Sequence, residues 1–202
     1  MRFPPATHHV AGFEHRNDAE RFLADLRERF AEFALELHPE KTRLIEFGRF
    51  AAERRAARGL RKPDTFEFLG FTHICAKGRY GRFKVKRVTS KKKMRSKLHA
   101  VKAEMRLRMH HPIPEQGRWL ARVLQGHYNY YAVPDNTAAL RGFRDRVIRH
   151  WRHALSRRSQ NGRITWERAR RLADRWLPKP RILHPWPNVR FDARTQGKSP
   201  VR

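Results

Sequence analysis

The chain has 202 residues, enough for one ordinary domain or two small ones, with 39% hydrophobic residues to build a core. It carries 47 Lys and Arg against 19 Asp and Glu, a net charge of +28, and a field of one sign that large points to a polyanionic partner, nucleic acid first. A lone cysteine, Cys75, excludes an internal disulfide and a cysteine-pair zinc site, and the longest uncharged apolar-rich run, Phe68 to Ala76, is too short to span a bilayer.

Asn17 followed by Glu20 reads as a capping box, and Phe22, Leu26, Phe30, Phe33 and Leu37 recur at helical spacing. They predict a helix from about Asp18 to Leu37, halted by Pro39. Thr42 to Phe47 reads as a short strand, and the Arg- and Ala-rich residues 48–63 as a partly helical connection. From Thr65 a β-hairpin is expected: the run FEFLGFTHI, a turn at Lys77–Gly81, then Phe83 and Val85 alternating with lysines. Met94, Leu98, Val101 and Met105 then form one helical stripe, ended by Pro112 and Pro114. A second helix is predicted from Glu115 to Tyr131, with Trp119, Val123 and Leu124 inside. Asn136 suits the N-cap of a third, carrying Leu140, Phe143, Val147, Trp151 and Leu155. A fourth places Trp166, Ala169, Leu172, Ala173 and Trp176 together. Pro178, Pro180, Pro185 and Pro187 forbid regular helix beyond it, and the closing ARTQGKSPVR reads as a tail that stays disordered without a partner. The fold class is therefore α+β, mainly α: a small strip of helix plus β-hairpin over residues 1–88, a basic helical bundle over 89–177, and a Pro-rich irregular tail over 178–202.

Charge is unevenly spread. Residues 1–72 hold 13 Lys and Arg against 12 Asp and Glu, whereas residues 73–202 hold 34 against 7. Aromatic residues interleave with this second stretch, Trp119 between Arg118 and Arg122, and His127, Tyr128, Tyr130 and Tyr131 close together. Guanidinium and aromatic groups together suit structured or single-stranded RNA, because phosphates are neutralised while exposed bases stack. Helical spacing assigns about two of the three tyrosines to packing. The histidines do not form metal-ligand patterns: His8–His9 and His110–His111 are adjacent pairs, and His150 and His153 have no carboxylate or cysteine placed to complete a set. No clustered aspartate pair of the kind that holds two Mg²⁺ ions is present.

Four strings carry a family resemblance: GFEHRNDAERFLADLRERF, LELHPEKTRLIEF (Leu35–Phe47), FEFLGFTHI (Phe66–Ile74) and GRWLARVLQGHYNYYAVP. With them the chain, from about Val10 to Arg202, resembles the C-terminal portion of group II intron reverse transcriptase/maturases. The resemblance implies the end of the palm over residues 1–88 and the thumb with the maturase-specific domain X over 89–177. It places Lys41 near the incoming nucleotide and Phe68, Leu69 and Gly70 in the segment that supports the primer end. Where that family carries its YADD catalytic hairpin, this sequence reads MRFPPATHH, so no catalytic residue is assigned and the chain alone is expected not to polymerise DNA. No metal or other cofactor is expected, Mg²⁺ belonging only to a complete reverse transcriptase.

The implied function is an RNA-binding maturase-type fragment that assists intron RNA folding and splicing. Its expected contacts are Lys91, Lys92, Lys93, Arg95 and Lys97 at the start of the thumb, then Arg118, Arg122, Arg144, Arg149 and Arg152, with Tyr128 and Tyr131 stacking on bases. Group II intron RNA is the expected partner, with DNA as a further polyanion, no membrane, and a cytoplasmic bacterial setting. Two alternatives stand beside it: half of a split reverse transcriptase that needs a separately encoded fingers–palm chain, and a decayed mobile-element remnant.

Overall fold

A computed structural model describes residues 9–78, 80–158 and 162–187. The expected disordered tail, residues 193–202, and His8 lie outside the described residues. The chain is α+β, with six helices and one three-stranded antiparallel sheet among the described residues. It divides into two compact units. One takes in the described residues up to Phe68 together with His73–Val85, and the other takes in Leu69–Thr72 and the described residues from Lys86 onward.

In the first unit, α1 spans Arg16–Ala31 and α2 spans Ala51–Ala57. The expected capping box is not formed. The chain enters the helix at Arg16, so His15 is the extended N-cap residue (φ −111°, ψ 143°) and Asn17 already lies inside. Glu20 accepts from Arg16 Nε at 2.6 Å instead of reaching back to a cap. The helix also stops short of Leu37. Ala34 takes a left-handed φ of 52° and Leu35 N donates to Phe30 O at 2.9 Å, a Schellman-type ending that closes the helix well before Pro39.

Residues 42–47 do not form the expected strand. A strand needs a neighbouring edge, and the sheet is completed without them, in the order β1-β2-β3. They are tied by side chains instead: Phe47 meets Phe66 edge-on at 5.0 Å, Gly48 N donates to Cys75 Sγ at 3.4 Å, and Glu46 pairs with Arg58.

The sheet consists of β1 (Phe66–Phe68), β2 (Phe71–Lys77) and β3 (Phe83–Thr89). The single expected strand FEFLGFTHI is thus two strands. Leu69 (φ 48°) and Gly70 (φ 79°) make a two-residue turn with both central residues left-handed, the geometry whose twist matches paired strands. The expected turn between β2 and β3 closes where Gly78 N donates to Arg82 O at 2.8 Å.

The second unit holds α3 (Lys91–Leu107), α4 (Ile113–Tyr131), α5 (Thr137–Ser156) and α6 (Trp166–Trp176). The α3 stripe of Met94, Leu98, Val101 and Met105 is buried as its spacing requires. Pro114 does not end α3 but sits in the first turn of α4, where its missing N–H costs no intrahelical bond. Helix α5 packs against α3, α4 and α6, and α4 packs against α6. Leu120, Leu124, Leu140, Phe143, Val147, Trp151, Leu155, Ala169 and Ala173 join the α3 stripe in one core, while Trp119, Val123, Leu172 and Trp176 cover its margin. Trp166, expected inside with them, is exposed.

Two polar residues organise this core. Gln116, fully buried, donates from Nε2 to the carbonyls of Arg108 (2.6 Å), Met109 (3.1 Å) and His111 (3.2 Å), and its Oε1 accepts from Trp151 Nε1 at 2.8 Å. Asn136 stands at the N-cap of α5 as expected, but its side chain does not cap the helix. Its Oδ1 accepts from Thr89 N at 2.9 Å, and its Nδ2 donates to Thr89 Oγ1 and Tyr131 O.

Candidate nucleic-acid interface

Helix α3 presents two faces of opposite character. Its apolar stripe faces α5, and Lys91, Lys92, Lys93, Arg95 and Lys97 are all exposed. Lys91, Lys92 and Lys93 fill the first three helical positions, with no acidic residue in that turn and no side-chain cap from Ser90. The N-terminal end of a helix dipole is positive, so three cations there work against local stability. The same arrangement suits an anion, because the first N–H groups of a helix have no intrahelical acceptor.

Between α3 and α5 runs an open groove of about 660 Å³. Met94, Leu98, Ala138, Ala139 and Gly142 give it apolar surface, and Lys91, Arg95, His99, Lys102, Arg146 and His150 give it polar and charged surface. No Asp or Glu lines it. Arg146 is fixed beside Met94, with Nη1 2.9 Å from Sδ. Burial, followed by the charges of Lys102, Arg149 and His153, lowers the pKa of His150 below its ordinary value. A groove of this kind can hold phosphates along its charged walls while the apolar surface follows sugar or base edges.

The remaining expected contacts fall into different settings. Arg118 and Arg122 are exposed one turn apart on α4. Arg149 is exposed on α5. Arg144 is turned inward: its side chain is 13% exposed, and Nη2 donates to Ala173 O at 3.2 Å and Asp174 Oδ1 at 3.3 Å, joining α5 to α6. Arg152 is half-buried, donating from Nε to Ile164 O at 2.9 Å, with its guanidinium 4.5 Å from the centroid of the Trp166 ring.

Of the three tyrosines, two pack. Tyr128 is 2% exposed and donates to Pro178 O at 3.3 Å, and burial raises its pKa to about 12. Tyr131 is half-buried, edge-on to Phe71 at 5.1 Å and beside His127 at 4.6 Å, and its pKa is likewise raised by burial. The exposed one is Tyr130, whose hydroxyl donates to Leu69 O at 2.7 Å.

The resemblance-derived positions are also distinct in setting. Lys41 is exposed in a turn in which its N donates to His38 O at 3.1 Å. Phe68 ends β1, Leu69 is 63% exposed, and Gly70 O accepts from Ser90 N at 2.9 Å.

Sequence reasoning did not select Lys102, Arg146, His99 or His150. Their signal was nevertheless present: Lys91, Arg95, His99 and Lys102 recur every three to four residues on α3, as Gly142, Arg146 and His150 do on α5. Among the described residues no group of three or more His, Cys, Asp or Glu is placed to hold a metal ion. No helix among them is long and apolar enough to cross a membrane. Comparison with protein-family models, with curated proteins and with solved structures gives no match to the chain.

Proposed function

We propose that the chain is an RNA-binding, maturase-type fragment of a group II intron-encoded protein, in which the helices of the second unit act as thumb and domain X and the first unit as the end of a palm. The observation that carries this reading is the groove between α3 and α5, walled by Lys91, Arg95, Lys102 and Arg146 and free of carboxylates. Three lysines kept at the unfavourable end of α3 add to it, since a local rule broken without local gain marks a site under functional demand. The mechanism needs no catalytic group from the protein: neutralising closely spaced phosphates lets a folded intron RNA hold together and perform its own splicing chemistry. The deciding experiment is a competition at near-physiological salt. Folded group II intron RNA should bind about tenfold or more tightly than duplex DNA or an unrelated structured RNA of equal length, a margin of about 1.4 kcal/mol that charge alone does not supply. Equal binding of all three would reject the maturase reading and leave a remnant with polyanion affinity only.

A specific observation favours one second reading. Phe22, Phe33, Leu35, Leu44, Phe50 and Leu60 in the first unit are each more than 40% exposed, apolar surface of the kind that partner chains cover. A separately encoded fingers–palm chain is a partner of fitting chemistry. Under this reading primer extension is at background for this chain alone and appears only when that partner is supplied.

A further inference from the structure

A second hollow, of about 610 Å³, lies between α5 and α6 and, unlike the basic groove, has carboxylates in its lining, Asp145 and Asp174. Trp166 forms part of its wall and is 43% exposed, the most exposed large aromatic ring of the four helices after Tyr130, whose hydroxyl is already engaged. The indole is held firmly although it is open. It is the first residue of α6, directly after Thr165, whose side chain accepts from Arg168 N at 3.2 Å. Arg152 lies against the ring at 4.5 Å and is itself anchored on Ile164 O. Ile148 and Ala173 add apolar wall, and Arg149 and Arg170 are exposed at its margin. Arg144 and Asp174 also line the hollow and are already paired with each other, Nη2 donating to Oδ1 at 3.3 Å.

We propose that this hollow is a docking site for an unpaired nucleotide of RNA: the base stacks on Trp166, and the flanking phosphates meet Arg149 and Arg170. A rigid, half-open indole with a guanidinium already against it matches the stacking platforms used for single strands, whereas the bases of a duplex are stacked on each other and cannot reach it. The carboxylate of Asp145, exposed in the same hollow, accepts from an exocyclic amino group, which selects bases that carry one. The proposal deepens the RNA-binding reading by naming what the second unit recognises beyond charge.

The test compares a single-stranded oligoadenylate of about 12 nucleotides with an RNA duplex of the same length, by fluorescence anisotropy at fixed salt. Trp166→Leu should weaken single-strand binding about tenfold, in line with the worth of one stacked base, and leave duplex binding and its salt slope unchanged. Trp166→Tyr should restore most of the loss. An unchanged single-strand affinity in Trp166→Leu, or an equal loss on both RNAs, overturns the proposal. A second measurement does not depend on how the variants fold. A 2-aminopurine flanked by uridines, which stack on it poorly and leave it bright in the free strand, should be quenched on binding the wild-type chain, and undiminished emission overturns the proposal equally. Neither measurement uses intron RNA, so the maturase reading can fail while this one holds, and the reverse.

Discussion

Helices α1 and α3 are nearly equal in length, 16 and 17 residues, and both repeat apolar side chains at helical spacing. Their fates differ. In α3, Met94, Leu98, Val101 and Met105 are all at or below 8% exposure, whereas α1 buries only Ala19 and leaves Phe22 at 43%. The periodicity is alike because it specifies a helix and a face; what covers the face is settled by other elements. Helix α3 has α5 against it, and α5 in turn joins α4 and α6 in one core. The first unit has small, separate ties: the Phe66 and His73 rings stacked at 4.7 Å, the Arg55–Asp64 ion pair at 2.9 Å, and Cys75 beside Gly48. Cooperative stability therefore belongs to the second unit, where burial is shared, and local opening to the first.

The largest effect that can break this comparison comes from one substitution in each unit. Trp151 is 1% exposed at the centre of the core, so Trp151→Ala should cost about 3–5 kcal/mol and also strand Oε1 of Gln116. Phe33 is 61% exposed, and Phe33→Ala should change stability by no more than about 0.5 kcal/mol. Urea unfolding followed by circular dichroism measures both. Comparable losses from the two would show that the first unit contributes a core of its own.

Acid should then destabilise the second unit. His127 is 5% exposed, its ring stacks on Phe143 at 3.9 Å, and Nε2 has no hydrogen-bond partner. Burial, with a smaller contribution from the charge of Lys97, lowers its pKa from 6.5 to about 4. Above pH 6.5 the ring is neutral in both folded and unfolded chains, so stability there is unaffected. Between pH 6.5 and 4 the unfolded chain takes up a proton that the folded one resists, and stability falls as pH falls, by roughly 3 kcal/mol across the window. His127→Phe should remove most of that slope from unfolding free energies measured at a series of pH values, leaving the smaller part that comes from the lowered pKa of His150. A variant that keeps the wild-type slope would place the acid sensitivity elsewhere.

An effect of intermediate size lies at the turn of the sheet. Gly70 has φ +79°, and a Cβ added there would come 2.7 Å from the Tyr131 hydroxyl oxygen. Gly70→Ala should cost about 1–2 kcal/mol from backbone strain and the displaced ring. Tyr131→Phe in the same background removes the clashing atom and should recover part of the loss, as read by thermal melts. Without that recovery, the backbone conformation alone accounts for the cost.

What the sequence made legible follows the same division. The stripes of α3 and α5, and that of α6 apart from the exposed Trp166, could be read directly, because a helix with a partner on one side keeps strict spacing between its buried positions. Residues 42–47 have the composition of a strand, but a strand is a relation between two segments, and no edge was placed beside them. The side chain of Asn136 was given to its own helix and is used on Thr89, 47 residues earlier, a tie that no local pattern encodes. Among the charges, exposure was legible for Lys91 to Lys93, yet the inward turn of Arg144 depends on carbonyl and carboxylate groups of α6 that arrive only on folding. Tyr128 and Tyr131 were expected to stack on bases, yet they are the two that pack and Tyr130 is the exposed one; spacing says that about two of the three pack but not which.

The smallest expected effect on stability has the opposite sign from the others. Lys91, Lys92 and Lys93 occupy the first turn of α3, exposed, uncapped, and beside Arg95 and Lys97 with no acidic residue to offset them. They repel one another and the positive end of the helix dipole, and alanine is the better helix former. Replacing all three with alanine should therefore stabilise the second unit, by about 0.5–1 kcal/mol, and raise its melting temperature. The same variant should weaken RNA binding and flatten the slope of log K against log salt by at most roughly 2–3 units, one contribution for each phosphate that is no longer neutralised. A gain in stability joined to weaker binding is the signature of charge retained for a ligand at the expense of the fold. If the triple variant is instead destabilised and binds RNA with an unchanged salt slope, the three lysines serve the structure of α3, and the phosphate-binding face of the second unit must be sought along Arg118, Arg122 and Arg149.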